Sequence, residues 1–232
     1  MKAVRRHLFN EGNLFLHIED SHLSLSSTTP LAVLSSASVG GGRGCWRTLV
    51  NRHVDKDYRE GDPVEETRGW LVTNGYDPEQ TPTLLTAARM ENASVIQMGD
   101  PLVQVAAIVT AGVSNAARMG WPGPVFMDHP DPGTINILLV VDGELTEGAL
   151  VNTVITVTEA KAAALQELDV RDGEGRSATG TTTDAVMIAS TQRRREKYVH
   201  AYAGAVSPLG QVVGQSVREA IRETVLRERQ RR

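Results

Sequence analysis

The sequence predicts a single α/β (α+β) domain over residues 1–232, in which helices pack on a mixed or largely antiparallel sheet. Early segments alternate apolar and polar residues, whereas later ones are continuously apolar, as in strands covered on both faces. One long segment instead repeats apolar residues at helical spacing. Strict βαβ alternation is absent, which disfavours a doubly wound parallel sheet, and αββα layering fits this pattern.

The first half of the chain reads as a strand meander followed by mixed elements. Alternation over residues 12–36 predicts early strands, and the glycine-rich segment 40–44 predicts a loop. The polar and charged segment 51–68 shows no pattern that predicts a helix or a strand. Short helices are predicted at 46–50 and at 83–90, the latter after two prolines. Strands are predicted at 70–73, 94–98 and 103–111.

The second half contains the clearest elements. Four prolines and three glycines predict an irregular loop at 118–133, and the Ile, Leu and Val run at 135–141 predicts the strongest strand. Thr146 is a good helix N-cap, with a helix expected to about Leu168. A loop at 172–183, a buried strand at 185–189 and a final helix from residue 207 or 208 complete the prediction.

The composition of the chain argues against several classes of partner and site. The formal net charge is -4 and aromatic residues make up 4% of the chain, which argues against a nucleic-acid partner. Cys45 is the single cysteine, so an intrachain disulfide framework and a zinc site of several thiolates are both excluded. No apolar stretch approaches the ~20 residues that cross a bilayer. We therefore expect a cytoplasmic protein with no membrane partner.

Thr134, which follows Gly133 at the start of the strongest strand, is the first candidate catalytic residue. A hydroxyl exposed at a strand start acts as a nucleophile when a base lies beside it. The alternative is that Thr134 merely begins a strand, for which β-branched residues are favoured. Asn136, two residues further along, is a candidate for contact with the substrate.

Two more candidates come from the turn after the predicted strand at 103–111. The side-chain amide of Asn115 can stabilise an oxyanion, and Ser114 can bind substrate or act as a nucleophile. The simpler interpretation is an Asx-type turn in which Asn115 bonds only its own backbone.

The hydroxyl-rich segment 179–184 is the third candidate region. Thr179 and Thr181 are candidates for substrate binding, and Asp184 is a candidate base. A hydroxyl-rich turn with no catalytic role explains the same residues equally well.

Gly41 and Gly42 are candidates for close approach of a substrate to the backbone. Their loop lacks the lysine of a P-loop and the spacing of a dinucleotide fingerprint, so it predicts no nucleotide site. Glu159 is a further candidate catalytic carboxylate, although Glu159 and Lys161 are two apart on a helix and do not face each other. The histidine and acidic residues show no recognised zinc spacing, so we expect no metal and no cofactor.

With these segments in place, the chain resembles the adenosylcobinamide amidohydrolase family over roughly residues 30 to 225. The matching pieces, in chain order, are Ser35-Ser36-Ala37 with Gly41-Gly42, Asn51 with Val54, and the segments 84–88, 109–116, 133–136, 145–150, 159–161, 179–184 and 202–204 with Leu209-Gly210. Single pieces are weak evidence, but their common order is specific.

The resemblance implies an enzyme that hydrolyses the amide joining aminopropanol to the corrin side chain. The products are adenosylcobyric acid, which re-enters coenzyme B12 synthesis, and 1-amino-2-propanol. The corrinoid is then substrate, with Gly41, Gly42, Trp46 and Trp121 as candidates for a flat surface beside the ring. The resemblance carries over no catalytic residue, and a homo-oligomer is compatible with the sequence.

A more distant likeness, of pattern alone, is to the β-aminopeptidase and ornithine acetyltransferase superfamily. It implies that Thr134 attacks the amide, that Asn115 stabilises the oxyanion, and that the chain cleaves itself before Thr134. Without cleavage, Glu147, Glu159 and Asp184 are the candidate bases. The alternatives in function are a non-catalytic corrinoid-binding protein and a hydrolase of another amide.

Overall fold

The computed structural model describes residues 3–9, 13–58, 61–121 and 134–230. In chain order, its strands and helices are β1 (Val4–Leu8), β2 (Leu14–Ile18), β3 (His22–Ser35), β4 (Gly42–His53), α1 (Pro63–Thr73), β5 (Thr83–Thr86), β6 (Ser94–Gly99), β7 (Gln104–Ala111), β8 (Ala116–Ala117), β9 (Ile135–Asp142), β10 (Glu144–Leu145), α2 (Glu147–Glu167), β11 (Gly180–Thr181), β12 (Ala185–Ser190), β13 (Val199–His200) and α3 (Pro208–Gln230).

Nine of these strands form one mixed, largely antiparallel sheet. Its main path runs β1-β2-β3-β12-β9-β7-β6, and β4 and β5 extend from β3. Only the pairs β9–β12 and β4–β5 are parallel among the described pairs of this sheet. The register between β3 and β4 shifts between Ser26 and Leu31, so the first half of β3 pairs with β2 and the second half with β12. The predicted fold class is confirmed.

Two apolar cores lie on opposite faces of β7, β9 and β12. Ile137 and Leu139 of β9 point to one face, where α2 and α3 cover them. Leu138 and Val140 point to the other face and pack against Leu23 and other residues of the strands before β5. Because successive side chains of a strand alternate, a strand buried on both faces is apolar along most of its length, as β7 and β9 are between their polar end residues.

Helix α1 contacts the outer face of β3 and β4 at one end of these strands. His22 and Arg52 are paired across these strands and share that face. The ring of His22 packs edge-on against Trp70 of α1, with centroids 5.2 Å apart, and Arg52 Nη2 donates to Glu66 Oε1 at 2.7 Å. None of the helices in the described part of the chain is long and apolar enough to span a membrane.

Three of the predicted elements are wrong, and the loop predicted at 40–44 is wrong in part. Gly42, Arg43 and Gly44 already belong to β4, because they pair with β3. Residues 46–50 belong to β4, where Trp46 pairs with Leu31 and the long-range ladder determines the conformation. Residues 70–73 end α1, whose start at Asp62-Pro63 was not recognised: Asp62 Oδ1 accepts from the amides of Val64 (3.1 Å) and Glu65 (3.0 Å).

The third wrong element is the helix predicted at 83–90. Residues 83–86 form β5, parallel to β4, and a short 3₁₀ turn follows at Met90–Asn92. The predicted strands at 94–98, 103–111, 135–141 and 185–189 are confirmed, as are the two long helices. Thr146 caps α2 by accepting from the amide of Ala149 at 3.1 Å. Most of the predicted loop at 118–133 lies outside the described residues.

Candidate active site

The sheet topology brings three of the candidate regions to one end of the sheet. β7 ends where β9 begins, since Ala111 pairs with Ile135. β9 and β12 run parallel and begin together, since Asn136 pairs with Ala185. The turn after β7, the residue before β9 and the residue before β12 are therefore neighbours, although more than 60 residues of sequence separate the first from the last.

Thr134 is 4% exposed, and its hydroxyl has two hydrogen-bond acceptors. Oγ1 lies 2.6 Å from the carbonyl oxygen of Thr183 and 3.1 Å from Asn136 Oδ1. The carbonyl of Thr134 accepts from the amide of Gly112 at 2.9 Å. The hydroxyl and the backbone are thus both held in place. Gly133, the other half of the predicted motif, lies outside the described residues.

Asn136 is 1% exposed and belongs to a buried chain of polar side chains that links β9 to β4, β5 and β7. Its Nδ2 donates to Asn51 Oδ1 and to the carbonyl of Leu85, both at 2.8 Å. Asn51 Nδ2 in turn donates to Thr110 Oγ1 at 2.9 Å. Because these bonds use both amide hydrogens of Asn136, only its oxygen faces Thr134. This geometry gives Asn136 an orienting position rather than a surface one.

Asp184 links the start of β9 to the loop before β12. Its Oδ1 accepts from the amide of Ile135 and from the amide of Thr181, each at 3.1 Å, and from the hydroxyl of Thr181. Its Oδ2 forms an ion pair with Lys161 of α2, a lysine that is 7% exposed. The sequence pattern predicted no role for Lys161, but its spacing of four from Val157 and three from Ala164 places it on the apolar face of α2.

Asn115 lies across the same end of the sheet from Asp184. Its Nδ2 lies 2.5 Å from Thr182 Oγ1. Two-residue strands β8 and β11 pair beside it, and Thr179 Oγ1 accepts from the amide of Met119 at 2.9 Å. Ser114 is exposed at the start of this turn. The turn after β7 and the segment 179–184 therefore form one joined structure.

The glycines at the start of β4 lie at this same end of the sheet, separated from β12 by β3. Gly42 pairs with Ser35, and Ser35 pairs with Met187. A Cβ on Gly41 would meet the carbonyl oxygen of Ala37 at 2.2 Å, so a close backbone approach within the loop itself requires this glycine.

The two remaining carboxylates proposed as bases are differently placed. Glu159 is exposed on α2. Glu147 pairs with Arg43 at 2.6 Å, and it precedes Lys161 by 14 residues, or about 21 Å along a helix. Of the tryptophans, Trp46 is half-buried in β4, whereas Trp121 is exposed and Arg176 lies 5.7 Å from its ring centroid.

The groups whose pKa is shifted lie outside the cluster formed by Thr134, Asn115, Asp184 and Lys161. Burial raises the pKa of Tyr58 to about 12, assisted by its hydrogen bond to Glu66. Burial lowers the pKa of His22 and of His200. In the described ranges no three His, Cys, Asp or Glu side chains converge as a metal ion would require.

Fold and cluster together define the class: a layered α/β protein with a buried threonine hydroxyl at a strand start, beside an asparagine amide and a lysine–aspartate pair. The chain belongs to the adenosylcobinamide amidohydrolase family, whose sequence model matches residues 8–232.

Two named relatives illustrate the match. The adenosylcobinamide amidohydrolase of Methanosarcina mazei is 30% identical over 212 residues, which cover 89% of this chain and 94% of the relative. That of Halobacterium salinarum is 31% identical over 177 residues, covering 74% of this chain and 71% of the relative. Among solved structures, a Burkholderia sp. β-aminopeptidase aligns with 90% of this chain and 78% of its own, at 12% identity and a TM-score of 0.42. A score this low supports no inference about chemistry.

Proposed function

We propose that this protein hydrolyses the amide that joins aminopropanol to the corrin side chain of adenosylcobinamide. The products are adenosylcobyric acid and 1-amino-2-propanol. Membership of the family, which extends over almost the whole chain, carries this proposal. The corrinoid is the substrate, and the exposed ring of Trp121 beside the joined turns offers the macrocycle an apolar surface.

Thr134 is the proposed nucleophile, and the support for it is geometric. Its hydroxyl and the peptide group that joins it to Ile135 are held by partners on other elements, so the oxygen has one defined position. In the first step Oγ1 attacks the amide carbonyl carbon and forms a tetrahedral oxyanion. An amide donor such as that of Asn115 stabilises this charge. Collapse expels 1-amino-2-propanol, and water then hydrolyses the ester on Thr134.

The proton of Thr134 needs an acceptor. The two partners of Oγ1 are a carbonyl and an amide oxygen, neither of which is a useful base. Asp184 is occupied by two amides, a hydroxyl and Lys161, Glu147 is remote, and Glu159 is exposed. We therefore propose that the base is the α-amino group of Thr134, released by cleavage of the 133–134 bond.

Two measurements test these proposals. Purified protein is incubated with adenosylcobinamide, and the corrinoid and amine products are separated by chromatography and identified by mass. Release of both products in equal amounts is expected. Tight corrinoid binding without release indicates a binding protein, and hydrolysis of other amides alone indicates a different substrate. Intact mass then reports cleavage, with fragments 1–133 and 134–232 expected and a single full-length species excluding the α-amino base.

A cytoplasmic location and the lack of a nucleic-acid partner are proposals that rest on composition, and fractionation and nucleic-acid binding measurements test them. A homo-oligomer is compatible with the sequence, and sedimentation measures the oligomeric state.

A further inference from the structure

Lys161 and Asp184 form an ion pair beneath the site, on the side of α2 that faces the sheet. The side chain of Lys161 is 9% exposed and that of Asp184 is 13% exposed. Lysine is seldom buried to this degree, and removing two charges from water is costly even when they pair. A buried pair of this kind is weak evidence for stability, so its contacts must show what it does.

The contacts of Asp184 reach both sides of the proposed nucleophile. Oδ1 accepts from the amide of Ile135, the residue bonded to Thr134. The same oxygen accepts from the amide and hydroxyl of Thr181, which fixes the turn that ends at Thr183. The carbonyl of Thr183 is the acceptor for Thr134 Oγ1 at 2.6 Å. One carboxylate therefore sets both the backbone of Thr134 and the acceptor for its hydroxyl.

The space around the pair is closed by Gly180. A Cβ at this position would lie 2.3 Å from Asp184 Oδ2 and 2.8 Å from Lys161 Nζ. Both distances are shorter than any van der Waals contact, so the pair is packed directly against the backbone of β11. This packing leaves the lysine ammonium and the carboxylate little freedom to move.

We infer that Lys161 is a positioning residue for the hydrolysis: its ammonium holds Asp184, which in turn holds Thr134 and the 181–183 turn in the reactive geometry. This inference rests on the proposed function of Thr134. Lys161 itself touches neither the hydroxyl nor, by this inference, the substrate. Because small displacements of a reacting group reduce rates strongly, we expect loss of Lys161 to lower kcat about 100-fold and to leave KM within about threefold.

The first test is chemical rescue of Lys161→Ala. The truncated side chain leaves room for a small alkylammonium ion next to Asp184. Propylammonium chloride is expected to restore at least a tenfold increase in kcat to this variant, whereas sodium chloride at equal ionic strength is not. Wild-type protein with the same amine is the control for direct aminolysis. Wild-type kcat in Lys161→Ala, or a folded variant whose kcat propylammonium does not raise, overturns the inference.

A second variant keeps the test decisive if Lys161→Ala does not fold. The double change Lys161→Met with Asp184→Leu removes both charges, so no unpaired charge stays buried. If Lys161 acts by positioning Asp184, kcat of the folded double variant is expected to remain about 100-fold below that of wild type. If the pair has only a structural role, the folded double variant is expected to recover the wild-type kcat. That recovery would overturn the inference.

Hydrogen exchange separates this inference from the proposed function. If the wild-type protein releases no aminopropanol, the proposed function fails, but the link from Lys161 to Thr134 is still testable. The amide of Ile135 is expected to exchange at least tenfold faster in Lys161→Ala than in wild type, since its acceptor is no longer held. Equal exchange at Ile135 in the two proteins overturns the positioning role whatever the substrate is.

Discussion

Thr134 Oγ1 lies 2.6 Å from the carbonyl oxygen of Thr183, the residue immediately before Asp184. This contact joins the starts of β9 and β12 through the atom proposed to attack the substrate. We expect Thr134→Ala to lower kcat for adenosylcobinamide by about 1000-fold or more, since removing a nucleophile removes the covalent route. Steady-state release of 1-amino-2-propanol measures the effect.

Thr134→Ser is the matched control because it keeps the hydroxyl and loses only a methyl group. It is expected to retain measurable turnover with an unchanged corrinoid product. If Thr134→Ala keeps more than a tenth of the wild-type kcat, another group is the nucleophile.

Asn115 supplies the amide proposed for the oxyanion. Loss of one such donor typically lowers kcat by about 10²–10³-fold while ground-state binding changes little. We therefore expect Asn115→Ala to reduce kcat to this extent with a small change in KM. Thr182→Val removes the hydroxyl that Nδ2 contacts but keeps the amide, so it should retain most of the activity. Equal losses in the two variants would assign the effect to the turn rather than to the amide.

Elements were predicted correctly where the local hydrophobic pattern matches the burial of the element in the folded protein. β7 and β9 are apolar along most of their length because helices cover one face and strands the other, and α2 begins at a recognisable cap. The errors at 46–50 and 83–90 arose where pairing between distant segments determines the conformation. Trp46 pairs with Leu31 and Thr83 pairs with Val50, and neither partner is visible in a local window.

The residues of the candidate site also differ in how far the local sequence could identify them. Thr134, Asn115 and Asp184 were predicted as site candidates because each lies at the end of a predictable strand, where sites commonly occur. The structure places these three residues at one end of the sheet, and their catalytic roles stay predictions. Lys161 and Asn51 were not assigned roles, because their partners are 23 and 85 residues away. A lysine on an apolar helical face and an asparagine within a strand are the signals that could have identified them.

Gly180 gives a test of the tight packing at β11. Gly180→Ala places a methyl group within 2.3 Å of Asp184 Oδ2, so the ion pair must shift. Overpacking of this kind costs about 1–3 kcal/mol, and we also expect a clear loss of kcat. Urea denaturation and product release measure the two effects. Gly173→Ala is the matched control, because a Cβ there meets no atom within 4 Å. Equal stability of both variants would contradict the packing described here.

A buried carboxylate also lies at the opposite end of the sheet. Asp142 is 2% exposed and pairs with Arg193 and Arg195. Asp142→Ala removes the carboxylate that two guanidinium groups contact, at a cost of about 3 kcal/mol since both arginines are partly exposed. Asp142 is the last residue of β9, whereas Thr134 immediately precedes the first residue of this strand. Because the two residues lie at opposite ends of the strand, kcat of the folded fraction should not change. Glu144→Gln, at the exposed pair with Arg194, is the control and should leave the denaturation midpoint near that of wild type.

The two buried histidines predict how stability depends on pH. Desolvation lowers the pKa of His200, against smaller opposing effects of the Leu102 carbonyl and Asp100. Desolvation also lowers the pKa of His22, although Glu19 acts in the opposite direction and His17 in the same one. The unfolded chain therefore binds protons more readily than the folded protein below the ordinary histidine value of 6.5. Stability is complete above that pH and falls as pH decreases toward the folded pKa values.

Urea midpoints at pH 7.5 and 5.5 test this dependence above the range in which carboxylates such as Glu66 titrate. The midpoint should fall between these pH values in wild type, since protonation favours the unfolded chain. Replacing both histidines, as His22→Asn with His200→Asn, should lower stability at pH 7.5 but make the difference between the two pH values smaller. An unchanged pH difference in this double variant would show that other groups cause the acid sensitivity.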